Sequence, residues 1–193
     1  MEVKMEQQLT GNEEFTLHDS SAGITIEDFW RWAYSDLLDN TQRGVMAEFL
    51  VYSSLNGNTH RAQMRVNWLP FDVASPSGRR IEVKSAAYLQ SWTTDFPSQI
   101  QYDIAPKLAW DGHSYALEAK RNCDIFVFCL YTALTRDKSI LDLDYWEFYV
   151  LPTSVLNAKI PTQKKISLSS LLKLEPVKTD YAGLEKVIET IKL

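Results

Sequence analysis

Three ionisable side chains in residues 68–85, WLPFDVASPSGRRIEVKS, are spaced to meet: Asp72, Glu82 and Lys84. Ser75-Pro76-Ser77-Gly78 has Ser first, Pro second and Gly fourth, the preferences of a type I turn. A type I turn followed by a left-handed glycine is a common three-residue hairpin loop. With Pro76, Ser77 and Gly78 as that loop, Ser75 pairs with Arg79, Val73 faces Ile81, and Asp72 faces Glu82. Alternation along the strands puts Arg80, Glu82 and Lys84 on one face and Ile81 and Val83 on the other. On the facing strand Asp72 shares its face with Trp68 and Pro70. Opposed side chains lie roughly 4.5–5.5 Å apart at Cβ, where like charges repel. Two carboxylates so placed call for a cation. A hard divalent ion such as Mg²⁺ takes oxygen ligands, typically one or two carboxylates, and leaves positions for water and phosphate. Lys84 would aim its ammonium at the same cluster. A Glu and a Lys two apart on a strand also fit an ordinary solvated pair, worth well under about 1 kcal/mol.

The elements that must position these groups can be read around the hairpin, whose strands are predicted over 64–74 and 79–87. Thr25 can cap a helix with Asp28 in its first turn, and Phe29, Ala33 and Leu37 form a core-packing stripe. A second helix is predicted over 41–55, with Val45, Phe49 and Tyr52 as its buried stripe and Asn56-Gly57-Asn58 as its stop. Glu48 borders that stripe. After a connection over 88–97, Ile100, Tyr102 and Ile104 alternate with Gln99, Gln101 and Asp103, a half-buried strand. Residues 124–131, DIFVFCLY, are apolar on both faces, as a central strand is. WEFYV at 146–150 is a further strand, 132–144 an exposed loop, 154–158 a helical turn, and 167–174 is ambiguous. Leu184, Ile188 and Ile191 mark a closing helix in the tail from 179 to 193. Residues 1–20 are polar and are expected to be a loose arm, with a single domain over 21–193.

Asp72 followed across a hairpin by Glu82-Val83-Lys84 resembles the PD-(D/E)XK nuclease superfamily, the restriction-endonuclease-like fold. The resemblance covers about residues 24–155, and DIFVFCLY and WEFYVLPTSVLN point to a bacterial or phage branch. It implies an α/β sandwich with a mixed central β-sheet flanked by helices. It also implies a Mg²⁺-dependent endonuclease hydrolysing DNA phosphodiester bonds, with Mn²⁺ as the substitute. Asp72, Glu82 and the Val83 carbonyl would hold the metal, and Lys84 would orient the attacking water. Glu48 is implied as a further catalytic and metal-binding acid, because RGVMAEF resembles the helix that supplies such a Glu in some branches. Arg80 and Lys107 are candidates for holding flanking phosphates, and Ser85 is a weaker one. Two features depart from the pattern. The proline is one residue early, in Pro70-Phe71-Asp72, and the helical Gln common after Glu-x-Lys has no counterpart. Many enzymes of the family act as dimers, so a homodimer stays open; no dimer face is visible in the sequence.

Composition limits the alternatives. The 193 residues are 45% hydrophobic and 12% aromatic, which excludes a disordered chain. No apolar run reaches the roughly 18 residues of a membrane span, and the first residues lack the apolar segment of a secretory signal. Cys123 and Cys129 on one apolar run would stand about 20 Å apart, too far for a disulfide, and free thiols fit a cytoplasmic location. Three scattered histidines and two cysteines give no zinc spacing. The net charge of −5 is awkward for a nucleic-acid enzyme, yet residues 60–121 hold eight Lys/Arg against six Asp/Glu. A local basic face can bind phosphate on an acidic protein. Two rival readings remain at this level. One is a catalytically idle nuclease-fold protein serving as a nucleic-acid-binding or protein-interaction module. The other is a structural domain whose six tryptophans form an interface.

Overall fold

A computed structural model describes residues 8–57, 65, 69–92, 96–110 and 112–193. The chain divides into two compact units, Met1–Leu37 and Leu38–Leu193. In the first, strands β1 (Glu14–Leu17) and β2 (Ser20–Thr25) pair antiparallel and lead into helix α1 (Ile26–Tyr34). His18 and Asp19 make the turn with φ of +49° and +61°, two consecutive left-handed residues as in a type I′ hairpin. Thr25 caps α1 as its sequence suggests: its hydroxyl accepts the Asp28 N–H, and the Asp28 carboxylate accepts the Thr25 N–H at 2.8 Å. Two expectations are corrected here. Part of the segment expected to be a loose arm is strand β1, and the apolar stripe of α1 is not a buried one, since none of the helix is buried and Trp32 is 86% exposed.

The second unit opens with α2 (Asn40–Asn56), capped by Asp39, whose carboxylate accepts the N–H groups of Thr41 and Gln42. Its buried residues are Arg43, Ala47, Leu50, Val51 and Leu55, and the expected stripe through Phe49 is wrong, with Phe49 55% exposed. The cause is Arg43. Its guanidinium is buried and satisfied by neutral acceptors, the Leu38 carbonyl at 2.8 Å, Asn40 Oδ1 at 2.6 Å and Ser85 Oγ at 3.3 Å. That anchorage, with the small Ala47 one turn on, turns a different line of α2 toward the sheet.

The remaining strands are β3 (Val73–Ala74), β4 (Arg80–Ala87), β5 (Gln101–Asp103), β6 (Ile125–Tyr131), β7 (Trp146–Pro152), β8 (Lys165–Ser167) and β9 (Val177–Thr179). The helices are α3 (Thr153–Lys159), α4 (Leu168–Leu172) and α5 (Leu184–Thr190). Five strands form the central sheet in the order β3-β4-β6-β7-β9, with β4 and β6 parallel and the other neighbours antiparallel. A parallel pair needs a long crossover, and here the chain makes it through β5, which pairs with β8 in a separate ribbon.

Each face of the sheet carries its own core. Ile81, Val83, Val127 and Phe148 pack with Ala47, Val51 and Leu55 of α2 and Leu184 and Ile188 of α5. Phe126, Phe128 and Leu151 pack with Tyr102 of β5, Ile166 of β8, Leu156 of α3 and Leu171 of α4. The mixed α/β sandwich expected from the sequence is therefore the fold. Its centre is β6, buried at every residue as DIFVFCLY requires. Cys123 and Cys129 are buried free thiols. Two further expectations are shortened: among the described residues the first hairpin strand pairs only at Val73–Ala74, and the closing helix is α5, behind the edge strand β9. Trp68 lies outside the described residues. No described helix is long and apolar enough to cross a membrane.

Candidate active site

The bend between β3 and β4 has the geometry its residues prescribe. The Gly78 N–H donates to the Ser75 carbonyl at 2.8 Å, the Ser75 N–H donates to the Arg79 carbonyl at 2.9 Å, and Gly78 has φ of +85°. Val73 then pairs with Ile81, the expected register. Among the described residues the ladder stops before Val73. The Asp72 N–H donates to the Ile81 carbonyl at 2.9 Å, and the Asp72 carboxylate accepts the Val83 N–H at 2.7 Å. Asp72 thus satisfies an edge donor of β4 that no described strand reaches. A residue's N–H and C=O leave a strand on the same edge, so the Val83 carbonyl is directed to the edge that Asp72 occupies.

Asp72 and Glu82 line one cavity of about 200 Å³ with Lys107. Burial and the charge of Glu82 push the Asp72 carboxyl up to about 6, against the pull of the Val83 N–H. Burial also disfavours the Glu82 carboxylate, but two ammonium groups outweigh it and hold Glu82 below the usual range. Both reach the same oxygen: Lys84 Nζ lies 2.6 Å and Lys107 Nζ 2.9 Å from Glu82 Oε1. Lys107 arrives from the chain after β5, so one predicted phosphate-holding residue stands inside the cavity.

The other candidates are placed differently. Glu48 projects from α2 close enough for its charge to raise Asp72 further, but it does not line the cavity. Arg65 grips both its oxygens, at 2.5 and 2.8 Å. Arg80 pairs with Asp124, at 2.6 Å and 3.1 Å, and does not line the cavity. Ser85 accepts from Arg43 on the α2 side of the sheet, a structural contact. Gln99 and Gln101 are exposed.

Several groups were not singled out by sequence reasoning. Arg65 is one. The others belong to a finger over 107–120, closed at its base by mutual N–H to carbonyl bonds between Lys107 and Lys120 at 3.0 and 3.1 Å. Asn122 clamps that base by donating to the carbonyls of Lys107 and Lys120, both at 3.1 Å. Farther out, Trp110 bridges to Tyr115. Nothing in the periodicity of 107–120 marks it, although a Trp and a Tyr in a polar stretch are a compositional signal.

Oxygen donors, one of them a carboxyl raised by burial and by a second acid, suit a hard divalent cation, which would relieve that repulsion. Among the described residues no group of three or more His, Cys, Asp or Glu is close enough to hold a metal ion. The set therefore fits a cation held by two carboxylates at most, with water and phosphate completing its shell.

An α/β sandwich that gathers two acids and two lysines beside its edge hairpin carries a candidate centre for phosphate-ester chemistry. Residues 25–141 match the family model described as bacteriophage T4 endonuclease IV, more than half of the chain. The chain belongs to that endonuclease family. The matched span contains Glu48, Asp72, Glu82, Lys84, Lys107, Trp110 and Tyr115. None of the curated proteins matches the chain significantly.

Proposed function

We propose that this protein is a divalent-metal-dependent endonuclease that hydrolyses DNA phosphodiester bonds with a PD-(D/E)XK-type centre made of Asp72, Glu82 and Lys84. One observation carries the reading: within the segment matched by an endonuclease family, Asp72 and Glu82 line one cavity and Lys84 contacts Glu82.

Asp72, Glu82 and the Val83 carbonyl would hold Mg²⁺, or Mn²⁺ in its place. When bound, such an ion polarises the phosphate and stabilises the leaving oxygen. The chain's own groups do the remaining work. The Lys84 ammonium, fixed against Glu82, orients the attacking water and offsets the charge that builds on the phosphorus oxygens. Lys107, more exposed, holds a non-bridging phosphate oxygen, and the Arg65–Glu48 pair braces the acid cluster from the α2 side. Water oxygen bonds to phosphorus and gives up a proton to solvent, the P–O bond to the leaving nucleoside breaks, and the departing oxygen takes up a proton from solvent.

The test is cleavage of plasmid and single-stranded DNA by the wild type and by Lys84→Ala. The variant is expected to keep its fold and lose cleavage, and unchanged cutting contradicts the role of Lys84. One observation favours an idle site instead. Both lysines hydrogen-bond Glu82, so its charge is balanced without a cation. Calorimetry with Mg²⁺ or Mn²⁺ separates the two, because an idle centre of that kind has no call for the ion.

A further inference from the structure

We propose that Trp110 and Tyr115 form a stacking platform for the nucleobase beside the phosphate that Lys107 holds in the cavity of Asp72 and Glu82. The inference rests on the nuclease reading and adds the base-binding half of the same site.

The cavity is divided by chemistry. Its polar part is Asp72, Glu82, Lys107 and Asn122, and its walls are Leu69, Pro70 and Phe71 on the incoming segment with Leu108, Trp110 and Tyr115 on the finger. A nucleotide is divided in the same way, with an anionic phosphate and a flat apolar face on its base. The Trp110 and Tyr115 ring centroids lie 4.8 Å apart with planes 54° apart, and Tyr115 is 64% exposed. Two aromatic rings beside a polar floor, one of them mostly in water, suit a base that slides onto them. Base–aromatic stacking is sequence-tolerant, because every base has a π-face.

The finger is built to hold its rings in place. Its base is fixed by the Lys107–Lys120 bridge, and the Ala116 N–H donates to the Ala109 carbonyl at 2.8 Å. Because Lys107 starts the finger and contacts Glu82, the rings are tied by a few residues of backbone to the oxygen that Lys84 also holds. A purely structural role for the pair, pinning the finger as a cross-strand contact, is the competing explanation.

The experiment measures binding of a short fluorescent single-stranded oligodeoxynucleotide by anisotropy, with chelator present so that no cleavage occurs. An oligonucleotide of the same length built from abasic residues is measured beside it. Wild type is expected to prefer the intact strand. Trp110→Ala and Tyr115→Ala are each expected to lose about 5- to 100-fold in affinity for it, with Trp110→Phe restoring most of the loss. Affinity for the abasic strand is expected to stay within about twofold, the pattern that a merely structural pair does not produce. The inference is overturned if the wild type binds both strands equally, or if the alanine variants weaken both to the same degree. Cleavage by the wild type with unchanged base preference in the variants rejects the platform and leaves the nuclease reading standing. A wild type that neither binds nor cuts DNA rejects both.

Discussion

The Asp72 carboxylate accepts the Val83 N–H at 2.7 Å, so one acid of the candidate centre is bonded to the strand that carries the other. The contact satisfies an edge N–H of β4 that no described strand reaches and holds the carboxylate in the cavity it shares with Glu82. Its cost is electrostatic, because burial and Glu82 both disfavour the charged form.

That cost predicts a pH dependence. With the Asp72 carboxyl pushed up to about 6, the folded state binds more protons than the unfolded chain between about pH 4 and pH 6. Stability from this group therefore falls as pH rises through that window, and the deficit is full above it. Asp72→Asn keeps an oxygen for the Val83 N–H and removes the charge. It is expected to raise stability by about 1–3 kcal/mol at pH 8 in chelator and to change little near pH 4. Urea denaturation at the two pH values checks this, and a variant less stable at pH 8 contradicts it.

The two lysines on Glu82 are expected to differ in kind. Lys84 is nearly enclosed, with its side chain 17% exposed, and sits on the same strand face as Glu82. Lys84→Gln is expected to lower kcat by about 100-fold or more, with a smaller change in KM. Lys107, on the open side, is expected to act mainly through KM. Steady-state kinetics on a defined oligonucleotide decide between this split and equal effects.

Gly78 holds the bend that sets the register of Asp72 against β4. A Cβ there would meet nothing within 4 Å, so only the backbone conformation, φ of +85°, resists substitution. Gly78→Ala is expected to cost about 1 kcal/mol and to reduce cleavage more than that loss of stability would. Equal cleavage per folded molecule would show that the acids tolerate a shifted bend.

Phe128 tests the fold rather than the site. It is fully buried on β6, edge-to-face with Tyr102 at 5.0 Å between ring centroids. Phe128→Ala is expected to cost about 3–5 kcal/mol, read from the urea midpoint.

What could be read from the sequence was local. The Ser75-Pro76-Ser77-Gly78 bend, the Thr25 cap and the all-apolar β6 each carry their own signal within a few residues, and the structure has all three. The bend was the most informative, because a hairpin loop of known length dictates which residues face each other on the strands beyond it. The buried face of α2 was not legible, because it is set by Arg43, a cation buried among neutral acceptors that come from Leu38, Asn40 and distant Ser85. The three-residue strands β5, β8 and β9 are too short for their pairing partners to be read from alternation. At the candidate site, Asp72, Glu82 and Lys84 were visible because they belong to one hairpin. Arg65 and the finger carrying Trp110 and Tyr115 were not, since their approach depends on long connections. Arg80 shows the limit of alternation: it assigned a face, but Asp124 took the side chain.

The account depends on Asp72 and Glu82 acting together on a divalent cation, and calorimetric titration of Mg²⁺ or Mn²⁺ tests that most directly. The wild type is expected to bind the ion, with binding lost or weakened at least about tenfold in both Asp72→Asn and Glu82→Gln. Absence of binding in the wild type, or binding that survives both substitutions unchanged, would contradict it.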